Sequence, residues 1–296
     1  MTLAPEHEQP RRPEGEGFSD AVTFAFGDER ADLYGVARLG LSGGAASGLA
    51  ILFHGGKPVS VAAEGGIQAP EQPSWDEVSA AGIDTGVVEA LRRWTVSFAS
   101  DDATFDLEAE ALGAVAELDV GSAAARLGGM AGYEQPVRVR GAATVAGRRL
   151  EVDALGQRGH SWGAPDWERI SLARTLSAWL GDDLALSLTA VRPAGHEDHA
   201  REAIAATILE RSATSGEPAA VPVGDPRLST TYDAGGHTRS AGLELWVDDD
   251  YPRRAAGEVV CGTSLNLGRL RLDCAFFRWR MEGRTGVGRY DVLRKV

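Results

Sequence analysis

Only two cysteines, Cys261 and Cys274, occur in the 296 residues. They fall in separate strand-like runs with no export signal ahead of them. Two reduced packing thiols are therefore expected, not a disulfide or a metal pair. Positive charge is short too: 30 Lys and Arg against 43 Asp and Glu leave a formal net charge of -13. That balance excludes nucleic acid as an expected partner, because phosphate binding draws on clustered Lys and Arg. No apolar run reaches membrane-spanning length and there is no basic amphipathic helix, so no membrane insertion is expected. The opening stretch from Met1 to Gly17 carries Pro5, Pro10, Pro13 and several Glu around no apolar centre. It lacks the core of a secretory signal and reads as a disordered tail over residues 1–17. A cytoplasmic location follows as an expectation.

Several chemistries leave no trace. There is no P-loop and no glycine-rich turn between a strand and a helix, so no nucleotide or dinucleotide cofactor is expected. The GxSxG elbow of an α/β-hydrolase is missing. His196-Glu197-Asp198-His199 has the residue types of a metal site. It follows Pro193 and Gly195 in a hydrophilic loop, with no third ligand at helical spacing, and reads as a solvated turn. Neither a metal nor any other cofactor is expected.

What the chain has in plenty is glycine, 37 residues, and short alternating segments. With 43% hydrophobic residues it can fill two modest cores or one large one. Leu49–Phe53, the turn His54-Gly55-Gly56-Lys57-Pro58 and Val59–Ala63 read as a hairpin. Trp94–Phe98 and Thr104–Leu112 read as another. Val137 and Val139 alternate with Arg138 and Arg140 before Ala146-Gly147 turns the chain into Leu150 and Val152. Such period-2 alternation marks strands with one dry face and one wet face. Ile170, Leu172, Leu176, Ala178 and Leu180 share a face with Arg174. An inward arginine needs a partner or a wet cavity, unless its stem lies along the sheet and its head reaches water. Ser74–Arg93 and Ala200–Ile208 fit helix and strand equally. The expected fold is all-β, two consecutive antiparallel domains over 18–155 and 156–296.

The densest stretch is Gly156-Gln157-Arg158-Gly159-His160-Ser161-Trp162-Gly163-Ala164-Pro165-Asp166-Trp167. Two Trp, a His, an Arg and an Asp in twelve residues suit a pocket wall that is apolar with a few aimed polar groups. They also suit a buried seam whose His160 and Arg158 bond backbone carbonyls. In the pocket reading His160 is the general acid or base, with Asp166 orienting it or acting as an acid. Trp162 and Trp167 offer flat faces to an unsaturated substrate.

This stretch resembles the G-x-R-D-H-S-W-G-x-R-D-W hallmark of the lipocalin-like superfamily that contains hydroxyneurosporene synthase (carotenoid 1,2-hydratase) and AttH-like proteins, with lipocalin-type Diels-Alderases among its relatives. Leu91-Arg92-Arg93-Trp94, Tyr133-Glu134-Gln135 and Gly286-Val287-Gly288-Arg289-Tyr290 extend the likeness across the chain from Phe18. The resemblance implies two lipocalin-like β-barrel or sandwich domains acting without cofactors on apolar small molecules. It departs in two places: Gly159 stands where the family has an acid, and Ala164 or Pro165 where it has its second Arg. Alkene hydration needs a strong proton donor, whereas pericyclic cyclisation needs a shaped cavity and a hydrogen bond. The expected function is thus a cofactor-independent cyclase, isomerase or lyase of specialised metabolism on an apolar polyunsaturated molecule. A hydratase using Asp166 or Glu134, and a non-catalytic lipid or terpenoid carrier, are the alternatives. The expected catalytic residues are His160, Asp166 and Arg158. Trp162, Trp167, Ser161, Tyr133, Glu134 and Arg174 are the expected substrate contacts.

Overall fold

The computed structural model describes residues 3–212, 214–247 and 251–296. The chain divides into two compact units, one of Met1–Leu112 with Gly132–Ala164 and one of Gly113–Ala131 with Pro165–Val296. Strand accounts for 66% of the residues and helix for 4%, so the fold is all-β, two curled antiparallel half-barrel sheets of lipocalin-like form.

In the first unit β1 (Ser19–Asp28), β2 (Leu33–Ser42), β3 (Ala45–His54) and β4 (Lys57–Gln68) make a meander. The β3–β4 turn is Gly55-Gly56, both at positive φ, which glycine adopts without a steric penalty. β5 (Ile83–Glu89), β6 (Arg93–Ala99) and β7 (Ala103–Ala111) follow, so the ambiguous stretch before Arg93 is loop and strand. The inserted segment of the second unit holds the short β8 (Ala116–Leu118) and α1 (Ala123–Gly128), the latter capped by the Ser122 hydroxyl accepting from the Ala125 N–H. Two long strands, β9 (Met130–Val145) and β10 (Arg148–Gly163), complete the sheet order β4-β3-β2-β1-β10-β9-β7-β6-β5.

The second unit comprises β11 (Ile170–Trp179), β12 (Leu184–Pro193), β13 (Ala203–Arg211), β14 (Pro218–Pro222) and β15 (Asp225–Tyr232). β16 (Thr238–Trp246), β17 (Arg253–Leu267), β18 (Leu270–Met281) and β19 (Arg284–Lys295) follow. Its order, β14-β13-β12-β11-β19-β18-β17-β16-β15, repeats the first strand for strand, with the last strand closing against the first. The segment after Ala200 is strand: Ala206 and Ile208 in β13 alternate inward, where a helix would spread its apolar residues over 3.6-residue turns.

Alternation places Val22, Phe24, Phe26, Trp94, Phe98, Phe105, Val137 and Val139 in one core and Leu176, Leu186, Leu188, Phe277 and Trp279 in the other. Each large apolar side chain so buried contributes about 1.5–3 kcal/mol. Two boundaries differ from the sequence reading. The border near residue 155 falls inside β10, and the whole Gly156–Gly163 segment belongs to the first unit. The terminal stretch read as disordered holds a 3-10 turn at Pro5–Glu8, and Glu8 is wholly buried. Composition predicts disorder from a deficit of apolar groups to bury. Here the segment is held by polar partners that only the folded first unit supplies.

Candidate functional site

Residues 158, 160 and 162 of β10 point to one side of the strand because successive side chains alternate. That side is the interior, since their register partners on β1 are Phe24, Val22 and Asp20, all buried. On β9, Tyr133 and Gln135 lie on the interior face that continues through Val137. Gly132 lets β9 come close to β10 here: a Cβ on it would stand 2.5 Å from the His160 carbonyl oxygen.

Two polar groupings fill this interior. In the first, the Glu8 carboxylate accepts from both terminal nitrogens of Arg158, at 2.8 and 3.0 Å, from Trp94 Nε1 at 2.5 Å and from the Tyr133 hydroxyl. Arg158 also donates to Gln135 Oε1 at 3.1 Å, and Gln135 donates to the Leu91 carbonyl. The guanidinium carbon lies 5.1 Å from the Trp94 ring centroid and 5.3 Å from that of Tyr133. Burial raises the Tyr133 phenol well above its ordinary value; the charge of Arg158 opposes this and Glu8 adds to it. Tyr133 is thus a protonated hydroxyl donor at any physiological pH.

In the second grouping His160 Nε2 meets Asp20 Oδ1 at 2.7 Å, and its Nδ1 donates to the His7 carbonyl at 3.0 Å. Asp20 Oδ2 accepts from the Arg11 N–H at 2.6 Å. A carbonyl can only accept, so Nδ1 carries a proton, and the Nε2–Asp20 contact requires a second one shared between them. Around His160 stand Trp75, Tyr133 and Trp162, each edge-on with centroids 5.2–5.7 Å away. The Arg11 guanidinium lies 3.6 Å over the Trp162 ring.

The family described as a domain of unknown function, DUF7064, matches residues 4–296. The chain belongs to the DUF7064 family. No curated protein matches the sequence. Among solved structures, this DUF7064 chain is similar to an AttH-like protein of Nitrosomonas europaea, at 12% identity and TM-score 0.71, with 95% of this chain and 93% of that one covered. It is similar to CghA, solved with Sch210972, at 12% identity and TM-score 0.65, with 94% and 89% covered. CghA solved alone gives the same score and identity over 95% and 88%. At 12% identity these likenesses show the fold alone, the two-sheet lipocalin-like architecture that this chain shares with those structures.

The structure gathers Arg158, His160, Tyr133 and Trp162 of the expected site and scatters the rest. Asp166 is exposed, and its carboxylate accepts from the Glu168 N–H within its own turn. Asp20, not Asp166, holds His160, since Asp20 sits beside it in β-sheet register whereas Asp166 lies beyond Pro165 in the second unit. Trp167 packs with Ile170 and Val191 in a small cluster of that unit. Ser161 points to the opposite face of β10, where it accepts from Arg38. Glu134 also faces outward, its Cγ 3.7 Å from where a Cβ on Gly159 would stand. An acid at 159 would therefore project away from Arg158 and His160.

Arg174 is an interior residue of the second unit. It pairs with the buried Glu202 carboxylate and donates to Tyr290 and Thr230, at 3.1 and 3.0 Å. Sequence reasoning missed Glu8, Asp20, Trp75 and the part of His7 and Arg11. Trp94 and Gln135 were within reach, since both sit in short matches to the superfamily. Among the described residues no group of three His, Cys, Asp or Glu could hold a metal ion. No helix of the described residues is long and apolar enough to cross a membrane.

Proposed function

We propose that this DUF7064 protein is a cofactor-independent cyclase, or a related isomerase or lyase, acting on an apolar polyunsaturated small molecule held inside the first unit. The observation that carries this reading is the convergence of Arg158, Tyr133 and Trp94 on one point of an interior walled by aromatic rings. A pericyclic ring closure moves no net proton. It needs a chain held folded, and donors placed on an oxygen that withdraws electrons from the reacting alkene. Three donors in a buried interior, engaged by Glu8 in this structure, supply the second requirement when Glu8 moves aside, while Phe24, Trp75 and Trp162 supply a wall for the first.

Hydration of an alkene needs a carboxylic acid that releases its proton. Glu8 accepts from four donor atoms on three residues, and Asp20 is held by His160 and the Arg11 N–H, so both are arranged as acceptors. Asp166 and Glu134, the displaced acids of the hydratase reading, lie outside this interior. Of similar folds, CghA was solved holding Sch210972, which supports a small-molecule role for the architecture.

The test is incubation of linear, carbonyl-bearing polyenes with the purified protein, followed by chromatography with mass detection. A product of unchanged mass and altered retention is the expected result. Gain of the mass of water makes the protein a hydratase, and return of bound, unaltered ligand makes it a carrier. Either one overturns the cyclase reading.

A further inference from the structure

We propose that the first unit's interior takes an anionic small molecule with two coplanar oxygens, a carboxylate or the enolate of a β-dicarbonyl, and that Glu8 holds its place in the free protein. This rests on the reading of that interior as a ligand site and names the chemistry it would recognise.

Arg158 presents two parallel N–H groups to two oxygens, the geometry that selects planar anions over neutral groups. Tyr133 and Trp94 add one donor to each oxygen, so the whole cradle is built around a charged pair of oxygens. The guanidinium cannot lose its proton, and a buried charge without a counter-charge is costly. Yet the sheet offers it no anion: among the described residues its partners on β9 are Tyr133 and Gln135, and the carboxylate comes from outside the sheet. Arg174 makes the contrast. Its partner Glu202 lies between β12 and β13 and is tied into the sheet on both sides.

Glu8 ends a four-residue turn set between Pro5 and Pro10. Besides its own carboxylate, that segment is held by the His7 carbonyl on His160, the Arg11 N–H on Asp20 and the Arg11 guanidinium over the Trp162 ring. It lies outside every strand of the sheet, since β1 begins at Ser19. The rings of Trp94 and Tyr133 at the cradle, with Trp75 and Trp162 around the neighbouring His160, suit a ligand with an apolar body behind its anionic head. An internal occupant lowers apparent ligand affinity by the fraction of molecules in which it has withdrawn.

The experiment uses the full chain with dodecanoate, hexadecanoate and all-trans retinoate, each beside its matching alcohol. Binding is read by tryptophan fluorescence. Withdrawal of the segment is read as tryptic cleavage after Arg11, resolved by mass spectrometry. At least one carboxylate should bind ten-fold or more tighter than its alcohol and speed that cleavage. Glu8→Gln, which keeps the acceptor oxygen and removes the charge, should tighten carboxylate binding several-fold. If that variant does not fold, the wild-type cleavage series decides alone.

Equal binding of acids and alcohols, binding of none, or carboxylate binding that leaves cleavage after Arg11 unchanged overturns the proposal. Conversion of neutral polyenes by a protein that binds no carboxylate would leave the cyclase reading standing and remove this one. Carboxylates that displace Glu8 without any polyene being converted would do the reverse.

Discussion

Glu8→Ala and Arg158→Met cut the same ion pair from opposite ends, and the structure makes their costs unequal. Arg158 lies on β10 between β1 and β9 with its guanidinium buried, and it stays away from water for as long as the segment that carries position 8 remains docked. Removing Glu8 strands that charge and leaves the Tyr133 hydroxyl and Trp94 N–H without their acceptor. Breaking a buried pair in this way costs about 3–5 kcal/mol. For a unit of ~150 residues, each kcal/mol lowers Tm by about 2–4 °C, so the expected fall is about 6–20 °C. Arg158→Met strands no charge, because Glu8 can leave with its segment; the Tyr133 hydroxyl and the Trp94 N–H lose their acceptor in either variant. What is lost beyond that shared cost is the docking of the segment, chiefly the bonds from His160 to the His7 carbonyl and from the Arg11 N–H to Asp20. At about 1 kcal/mol each, they amount to about 2 kcal/mol. Scanning calorimetry of the two variants, following the transition of the first unit, measures the difference. An Arg158→Met variant that melts as low as Glu8→Ala, or lower, refutes the reasoning.

The remaining predictions concern single groups. Gln at position 160 can satisfy Asp20 or the His7 carbonyl but not both, so His160→Gln should speed tryptic cleavage after Arg11 about ten-fold with amide protection in the strands unchanged; unaltered cleavage would count against His160 as the clamp on the segment. Burial raises the phenols of Tyr133 and Tyr290 above their ordinary value of 10.0, so the stability this reflects is complete below pH 10 and is lost as pH rises beyond it. Absorbance at 295 nm should show both tyrosines ionising only as the native circular dichroism signal disappears. Burial pushes the Asp273 carboxyl up, but Ser264, Arg294 and Arg271 outweigh it and leave the group below its usual 3.8. That contribution is present above the usual carboxylate range and is lost as pH falls through it and below, so Asp273→Asn should flatten the acid limb of the second unit's Tm profile below about pH 4.

Strand periodicity was legible because side-chain alternation is local. The hairpins around Gly55-Gly56 and Ala146-Gly147 follow from residues a few positions apart, and the structure pairs β3 with β4 and β9 with β10. The placing of Arg158, His160 and Trp162 on one face follows from the same period. Proximity in sequence misled the reading of Asp166 and Trp167. A strand end and Pro165 separate them from His160, and the chain passes into the second unit between them. Asp20 was invisible because its closeness to His160 is a matter of strand register, Asp20 opposite Trp162, across more than a hundred residues. Glu8 was hidden for a different reason. A short, proline-flanked acidic segment has the composition of a tail that buries nothing, and its order comes from an arginine and a tyrosine far along the chain.

The two units solve the same packing problem in ways that differ at one point. Both run their strands in the same order, and both bury one arginine against a glutamate and a tyrosine hydroxyl. In the second unit the arginine sits on β11, where its sheet path starts in sequence, and its glutamate arrives on the connection from β12 to β13. In the first unit the arginine sits on β10, where the path ends, and its glutamate arrives from beyond the sheet. A counter-ion fixed at both ends of its segment serves stability, because losing it means losing the strands around it. A counter-ion carried on a segment outside the sheet can be exchanged for another anion at the cost of the hydrogen bonds that dock that segment. That difference in attachment, more than the identity of Arg158 or Tyr133, makes the interior of the first unit the place to look for a ligand.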